Sequence, residues 1–140
     1  MSEPIRFHFD VDGDNFSSAG EASVHVKRML RQIGIAADVI RRVSVAMYEG
    51  EINMVIHADG GDADVLVEPG KITIILADRG PGIADIELAM TEGYSTAPEN
   101  VRSLGFGAGM GLPNMKRYTD DMKIESTVGV GTTVTMTVLF

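Results

Sequence analysis

Glu49, Asn53 and His57 stand four residues apart in a stretch without proline. On a helix that spacing puts all three on one face, with neighbouring Cβ atoms about 5–6 Å apart. A carboxylate, an amide oxygen and an imidazole in a row can orient a water, ligate a hard cation and touch a phosphate. The same stripe suits a solvated helix face, and the spacing alone leaves both readings open. Asp78 ends an apolar run, residues 72–77, that only Thr73 interrupts. A carboxylate emerging from a buried strand needs a partner. That partner is either a backbone N–H of a tight turn or an exocyclic amine on a ligand. Gly80 and Gly82 leave the backbone beside it open to close approach by a flat group. Further on, Gly105, Gly107, Gly109 and Gly111 alternate with Phe106, Ala108 and Met110. No Lys-Ser or Lys-Thr pair follows, as a Walker loop requires, and Met110 stands where the dinucleotide fingerprint needs a third glycine. Glycines ahead of a helix nevertheless present free N–H groups at its positive end, which is an anion site in physical terms. A flexible linker is the plain alternative.

These residues need elements to hold them. Residues 6–11 alternate loosely and predict a first strand, closed by the turn residues Asp12, Gly13, Asp14 and Asn15. A helix is expected from about residues 15–18, where short polar side chains can cap it, to Ile33, with Gly34 ending it. A long second helix is expected over residues 37–57, with Val39, Val43, Met47 and Met54 at core spacing. Residues 63–67 and 71–77 predict two strands around the hairpin loop Glu68, Pro69 and Gly70, the second strand central because it is almost wholly apolar. A short helix is expected over 85–90. Residues 91–111 are rich in Gly, Pro and Asn and read as a long loop, which in a compact domain points to function. A helix over 112–122 follows, with Pro113 tolerated in its first turn, then strands over 123–127 and 132–139. Helices outnumber βαβ crossovers, and the hairpins favour a mixed or antiparallel sheet. The fold class expected is an α+β two-layer sandwich, with a mixed, mostly antiparallel sheet covered on one face by helices.

The 140 residues read as one domain, 44% apolar and 23% charged, which argues against disorder. With no cysteine, disulfides, thiolate metal sites and cysteine nucleophiles are excluded. A net charge of -8 argues against direct nucleic-acid binding. Residues 1–10 do not read as a secretory signal, and no run nears the roughly 20 apolar residues of a membrane span. A soluble cytoplasmic domain without membrane contact is the expectation. Lys27, Arg28, Arg31, Arg41 and Arg42 concentrate positive charge between residues 27 and 42. They suit either solvated, dipole-matched helix ends or a docking patch for an acidic protein.

Taken together the segments resemble the ATP-binding domain of the GHKL superfamily, and more closely the small bacterial anti-sigma-factor serine/threonine kinases and related switch kinases. The resemblance covers nearly the whole chain. Residues 49–58 (EGEINMVIHA) resemble the N box and 78–83 (DRGPGI) the first glycine box. Residues 105–112 resemble the second and 129–134 (GVGTTV) the third. Residues 89–96 (AMTEGYST) look like the switch-kinase branch. The resemblance implies ATP and Mg²⁺ as cofactors. It implies Asn53 as metal ligand, Glu49 as the residue that orients or deprotonates the nucleophile, and Asp78 as acceptor of the adenine amino group. Gly80, Gly82, Ile83 and Thr132 would shape the adenine pocket, and His57 would approach a phosphate. Residues from about 96 to 111 would form the ATP lid, with Gly105, Gly107, Gly109, Met110, Gly111 and Leu112 at the nucleotide. The function implied is phosphorylation of a small protein antagonist on Ser or Thr, with a sigma factor as a further partner and a homodimer as a possible assembly. The alternatives are a nucleotide-gated binding module without kinase activity and a plain Mg-dependent ATPase.

Overall fold

Side-chain alternation decides which face of each strand is covered. The computed structural model describes residues 4–12, 20–57, 60–83, 86, 90 and 111–140. In chain order these form β1 (Ile5–Asp12), α1 (Glu21–Gln32), α2 (Ala37–His57), β2 (Gly60–Glu68), β3 (Lys71–Asp78), α3 (Gly111–Arg117), β4 (Asp121–Thr127) and β5 (Gly131–Leu139). In β2, Ala63, Val65 and Val67 are buried, and Asp62, Asp64 and Leu66 between them point to the opposite face. The same period buries Ile72, Ile74 and Leu76 of β3 and Val134, Met136 and Val138 of β5. The sheet order is β1-β2-β3-β5-β4, and every described pairing is antiparallel. β3 is central, as its apolar run requires. Val26 and Leu30 of α1, Val43 and Met47 of α2 and Met115 of α3 join these strand residues in one core. The two-layer α+β sandwich expected from the sequence is the observed fold. The helix expected over 85–90 falls largely outside the described residues. Within it the Met90 N–H donates to the Ile86 carbonyl at 3.0 Å, the helical i to i+4 spacing.

α2 runs from Ala37 to His57, the bounds its pattern predicts. It approaches the sheet closely at Gly50, where a Cβ would collide with the Leu76 side chain and lie 3.1 Å from Met115 Cε. α1 differs from expectation at its start. Residues 15–18 lie outside the described residues, and the helix begins at Glu21 behind Gly20, whose φ of 97° suits only glycine without strain. Its first N–H groups are satisfied from across the chain. Glu51 of α2, 2% exposed, accepts from the N–H groups of Gly20 (2.9 Å), Ala22 (3.1 Å) and Ser23 (3.0 Å).

The helix expected over 112–122 ends earlier. α3 stops at Arg117, and the Thr119 hydroxyl donates back to the Met115 carbonyl at 2.8 Å. The Asp120 N–H bonds the Thr137 carbonyl at 2.8 Å, so Asp121 and Met122 enter β4 opposite Thr137 and Met136. The tertiary pairing with β5 overrides local helix preference.

The basic cluster also divides. Lys27, Arg28 and Arg31 are exposed on α1. Arg41 lies over the Tyr118 ring, 5.7 Å from its centroid. Arg42 donates to Asp120 Oδ2 (3.2 Å) and the Leu139 carbonyl (2.8 Å), pinning α2 to the end of β5. The Leu139 N–H, and then Arg42, hold the Asp120 carboxyl below its ordinary value of 3.8. A depressed folded-state pKa contributes stability that is present above the unfolded value and lost as pH falls through the folded one. Asp120→Asn is therefore expected to melt below wild type at neutral pH, with the gap closing as pH falls below about 4. Thermal melts of both proteins across that range check it, and a constant gap would remove Asp120 from the acid response.

Candidate functional site

The carboxylate of Asp78 emerges where β3 leaves the sheet, and its backbone lies between two glycines. Gly61 of β2 is its register partner, and a Cβ there would lie 2.8 Å from Asp78 Cα. Gly131 of β5 is on the other side, where a Cβ would collide with the Asp78 carbonyl oxygen. The three backbones therefore close up around this strand end. Asp78 Oδ1 accepts from the N–H groups of Gly80 and Thr132, both at 3.0 Å. Both donors use the same oxygen. Oδ2 has no partner among the described residues, which leaves a fixed carboxylate with one free acceptor.

A second layer of hydrogen bonds shapes the turn after Asp78. Thr132, buried, shares a 2.8 Å hydroxyl contact with Ser126 of β4. Ser126 Oγ in turn accepts from the Ile83 N–H at 2.7 Å. The Gly129 N–H donates to the Pro81 carbonyl at 2.8 Å, so the β4–β5 turn also ties down the loop. Gly82 has φ 80°, and a Cβ there would lie 2.5 Å from the Thr127 carbonyl oxygen, so no larger residue fits without a shift. Asp78, Gly80, Gly82, Ile83 and Thr132 are thus brought into one network. Ser126, its hub, was not singled out from the sequence. A lone serine in a strand carries no pattern, and only the register opposite Thr132 shows its place.

The second half of the site lies where α2 meets α3. Asn53 Nδ2 points to Met115 Sδ at 3.9 Å, which leaves Oδ1 as the free acceptor. A Cβ on Gly111 would lie 2.8 Å from Asn53 Nδ2 and 2.9 Å from Oδ1, so glycine at the head of α3 makes room for this amide. Leu112 beside it packs against the core. Glu49, half-buried, is four residues before Asn53 and shares its face of α2. Met54, next in sequence to Asn53, touches Gly61, the register partner of Asp78, so α2 connects the two halves. The backbone of His57 ends α2, and its side chain lies outside the described residues. Gly105, Gly107, Gly109, Met110 and most of the expected lid also lie outside them.

A carboxylate held by one oxygen at a strand end accepts an amine on a flat ring, and a free amide oxygen on a helix suits a hard cation. Asp78 and Asn53 are the described residues that could hold such a ring and such a cation. The family model for the histidine kinase-like ATPase domain matches residues 15–138. The chain belongs to this family, as an ATP-binding protein of the anti-sigma kinase type. It is 30% identical to the anti-sigma F factor of Geobacillus stearothermophilus, over 96% of this chain and 90% of that protein. It is 34% identical to the anti-sigma F factor of Clostridium novyi, over 82% of this chain and 81% of that one. The fold is also that found in the crystal structure of the RsbU and RsbW domains of Rv1364c from Mycobacterium tuberculosis. That likeness has a TM-score of 0.67 at 18% identity and covers 96% of this chain and 32% of the other. No described helix is long and apolar enough to cross a membrane.

Proposed function

We propose that this protein is a Mg²⁺-dependent serine/threonine kinase that phosphorylates a small protein antagonist and, in a second complex, holds a sigma factor. The observation that carries the nucleotide half is the Asp78 carboxylate, anchored through Oδ1 by two backbone N–H groups with Oδ2 free. That oxygen accepts the exocyclic amine of adenine, and Gly80, Gly82 and Ile83 bound the ring. Asn53 Oδ1 is the ligand offered to Mg²⁺, which keeps most of its other positions for phosphate and water. ATP supplies the transferable phosphoryl group. Glu49, on the same helix face as Asn53, orients the incoming hydroxyl and takes up its proton.

The protein partner docks on the exposed face of α1. Lys27, Arg28 and Arg31 give that face its charge, and Val24 and Met29 beside them are exposed apolar groups. Tyr48 of α2 adds a half-exposed ring to a depression of about 470 Å³ that Gly20, Val24, His25 and Arg28 also line. A patch of this sign fits an acidic partner. Relatives named as anti-sigma factors support this reading.

Asp78→Asn tests the nucleotide half directly. The asparagine can keep its carbonyl oxygen on Gly80 and Thr132, so the turn survives. Its amide NH₂ then occupies the place of Oδ2 and faces the adenine amine, donor against donor. Loss of a charge-assisted hydrogen bond is worth about 1.5–3 kcal/mol, or roughly 10- to 150-fold in ATP affinity. GTP binding is expected to fall less, since guanine offers an acceptor at that position. Calorimetry that finds equal ATP affinity in the variant removes Asp78 from the adenine pocket.

A further inference from the structure

The face of the sheet opposite the helices carries a cluster that the nucleotide reading does not use. In the β1–β2 register His8 stands opposite Asp64, and Asp10 opposite Asp62. We propose that His8, Asp10 and Asp62 form a binding site for a zinc-type first-row divalent cation, separate from the metal position at Asn53.

The geometry is that of a half-built coordination shell. His8 Nδ1 lies 2.9 Å from Asp64 Oδ1, and Asp64 is the least exposed of the four side chains at 16%. That contact fixes the ring, and because Nε2 also faces a carboxylate oxygen the ring donates from both nitrogens, so a bound cation would take the place of the Nε2 proton. Nε2 lies 3.3 Å from Asp10 Oδ1 and 3.7 Å from Asp62 Oδ1. The candidate ligand atoms all fall within 4.8 Å of one another. Ligands at about 2.0–2.2 Å from a tetrahedral zinc stand roughly 3.3–3.6 Å apart, so the 3.3 Å pair, now a hydrogen bond, already has the spacing for a shared ion and the 3.7 Å pair is just outside it. Asp64 then takes the outer carboxylate role that orients a metal-bound imidazole.

Charge and placement agree with this. Two carboxylates directly opposite on paired strands repel each other, a pairing that sheets avoid. Asp10 has no Lys or Arg partner among the described residues. Arg79 reaches the other oxygen of Asp62 at 3.6 Å, and Arg6 lies 3.5 Å from Asp64. A divalent cation would neutralise the facing pair. Strand backbones on both sides hold the ligands, so little ordering is needed on binding. The imidazole selects zinc, cobalt or nickel over Mg²⁺, which prefers oxygen and its own waters. Three protein ligands leave at least one position to water.

The test uses the full chain without nucleotide, with Zn²⁺ in calorimetry and Co²⁺ as a visible-absorbance probe. Wild type is expected to bind one equivalent of Zn²⁺ that His8→Ala and Asp62→Asn both lack. Asp64→Asn is expected to keep that equivalent with roughly tenfold weaker affinity, the usual effect of losing an outer carboxylate. Asn53→Ala is expected to leave it unchanged. Co²⁺ should give absorption bands in wild type that disappear in His8→Ala. Circular dichroism confirms that each variant is folded. The inference is overturned if His8→Ala and Asp62→Asn bind Zn²⁺ with wild-type stoichiometry and affinity, which would mean adventitious binding elsewhere. It is equally overturned if wild type binds no Zn²⁺, or if equimolar Mg²⁺ displaces it.

Discussion

Glu49→Gln is expected to bind Mg·ATP within a few-fold of wild type and to transfer almost no phosphate to a partner protein. Glu49 shares a helix face with Asn53, and the proposed role touches the incoming hydroxyl rather than ATP. Glutamine keeps the size and can still accept a hydrogen bond, but it cannot take up a proton. Phosphoryl transfer depends mostly on positioning and charge stabilisation, and the base contributes roughly 10²–10⁴ in rate. The comparison is three-way. Wild type, Glu49→Gln and the double reversal Arg28→Glu with Arg31→Glu are each assayed for ATP binding, partner binding and transfer. The charge reversal is expected to slow association and flatten its salt dependence while leaving ATP binding alone, because both arginines are exposed on α1. Transfer by Glu49→Gln at the wild-type rate would remove Glu49 from the chemistry. A wild type that binds its partner but never labels it would instead make the protein a nucleotide-gated binding module.

What the sequence showed, and what it hid, follows from the range of each interaction. α2 was legible to the residue because its apolar positions recur every three to four residues over 21 residues without a proline. β3 was legible as central because both its faces lack charge between Lys71 and Asp78. The anchoring of Asp78 was legible only as a need for partners. That one oxygen takes both N–H groups, leaving the other for a ligand, depends on Thr132, 54 residues away. The end of α3 was hidden for the same reason. Residues 118–122 contain no Pro or Gly to stop a helix, and it is the pairing of Asp121 with Thr137 that stops it. The His8 cluster was invisible in one dimension, since it forms only when β1 and β2 take their register. Patterns within one element can be read from sequence, whereas cross-strand and cross-helix partners need the fold.

Glu51→Ala is expected to destabilise the fold more than any surface change on the molecule. Glu51 sits between Glu49 and Asn53 in sequence but faces the other way, since two residues turn a helix by about 200°. On that side its carboxylate takes three N–H groups from Gly20, Ala22 and Ser23. Tyr48, one turn earlier on α2, covers Gly20, where a Cβ would lie 2.8 Å from Tyr48 Cε1. The start of α1 is thus capped by a side chain 28–31 residues away, and a carboxylate also suits the positive end of the helix. Alanine leaves those donors buried without partners and opens a cavity. A lost cap costs about 0.5–2 kcal/mol, and each orphaned buried donor adds about 1–3 kcal/mol where water cannot reach it. Partial relaxation brings the expected loss to about 2–4 kcal/mol, in the range of core truncations. Glu51→Gln keeps one oxygen acceptor and is expected to lose roughly half as much. Urea unfolding of the three proteins, with equal slopes, measures this. The same helix face links fold to function. With α1 released, partner binding through Arg28 and Arg31 is expected to weaken more than ATP binding at Asp78, because Asp78 is held by β5 and its own turn. A Glu51→Ala protein as stable as wild type would show that α1 does not depend on this carboxylate. Equal losses of ATP and partner binding would show that α1 and the nucleotide site move as one unit.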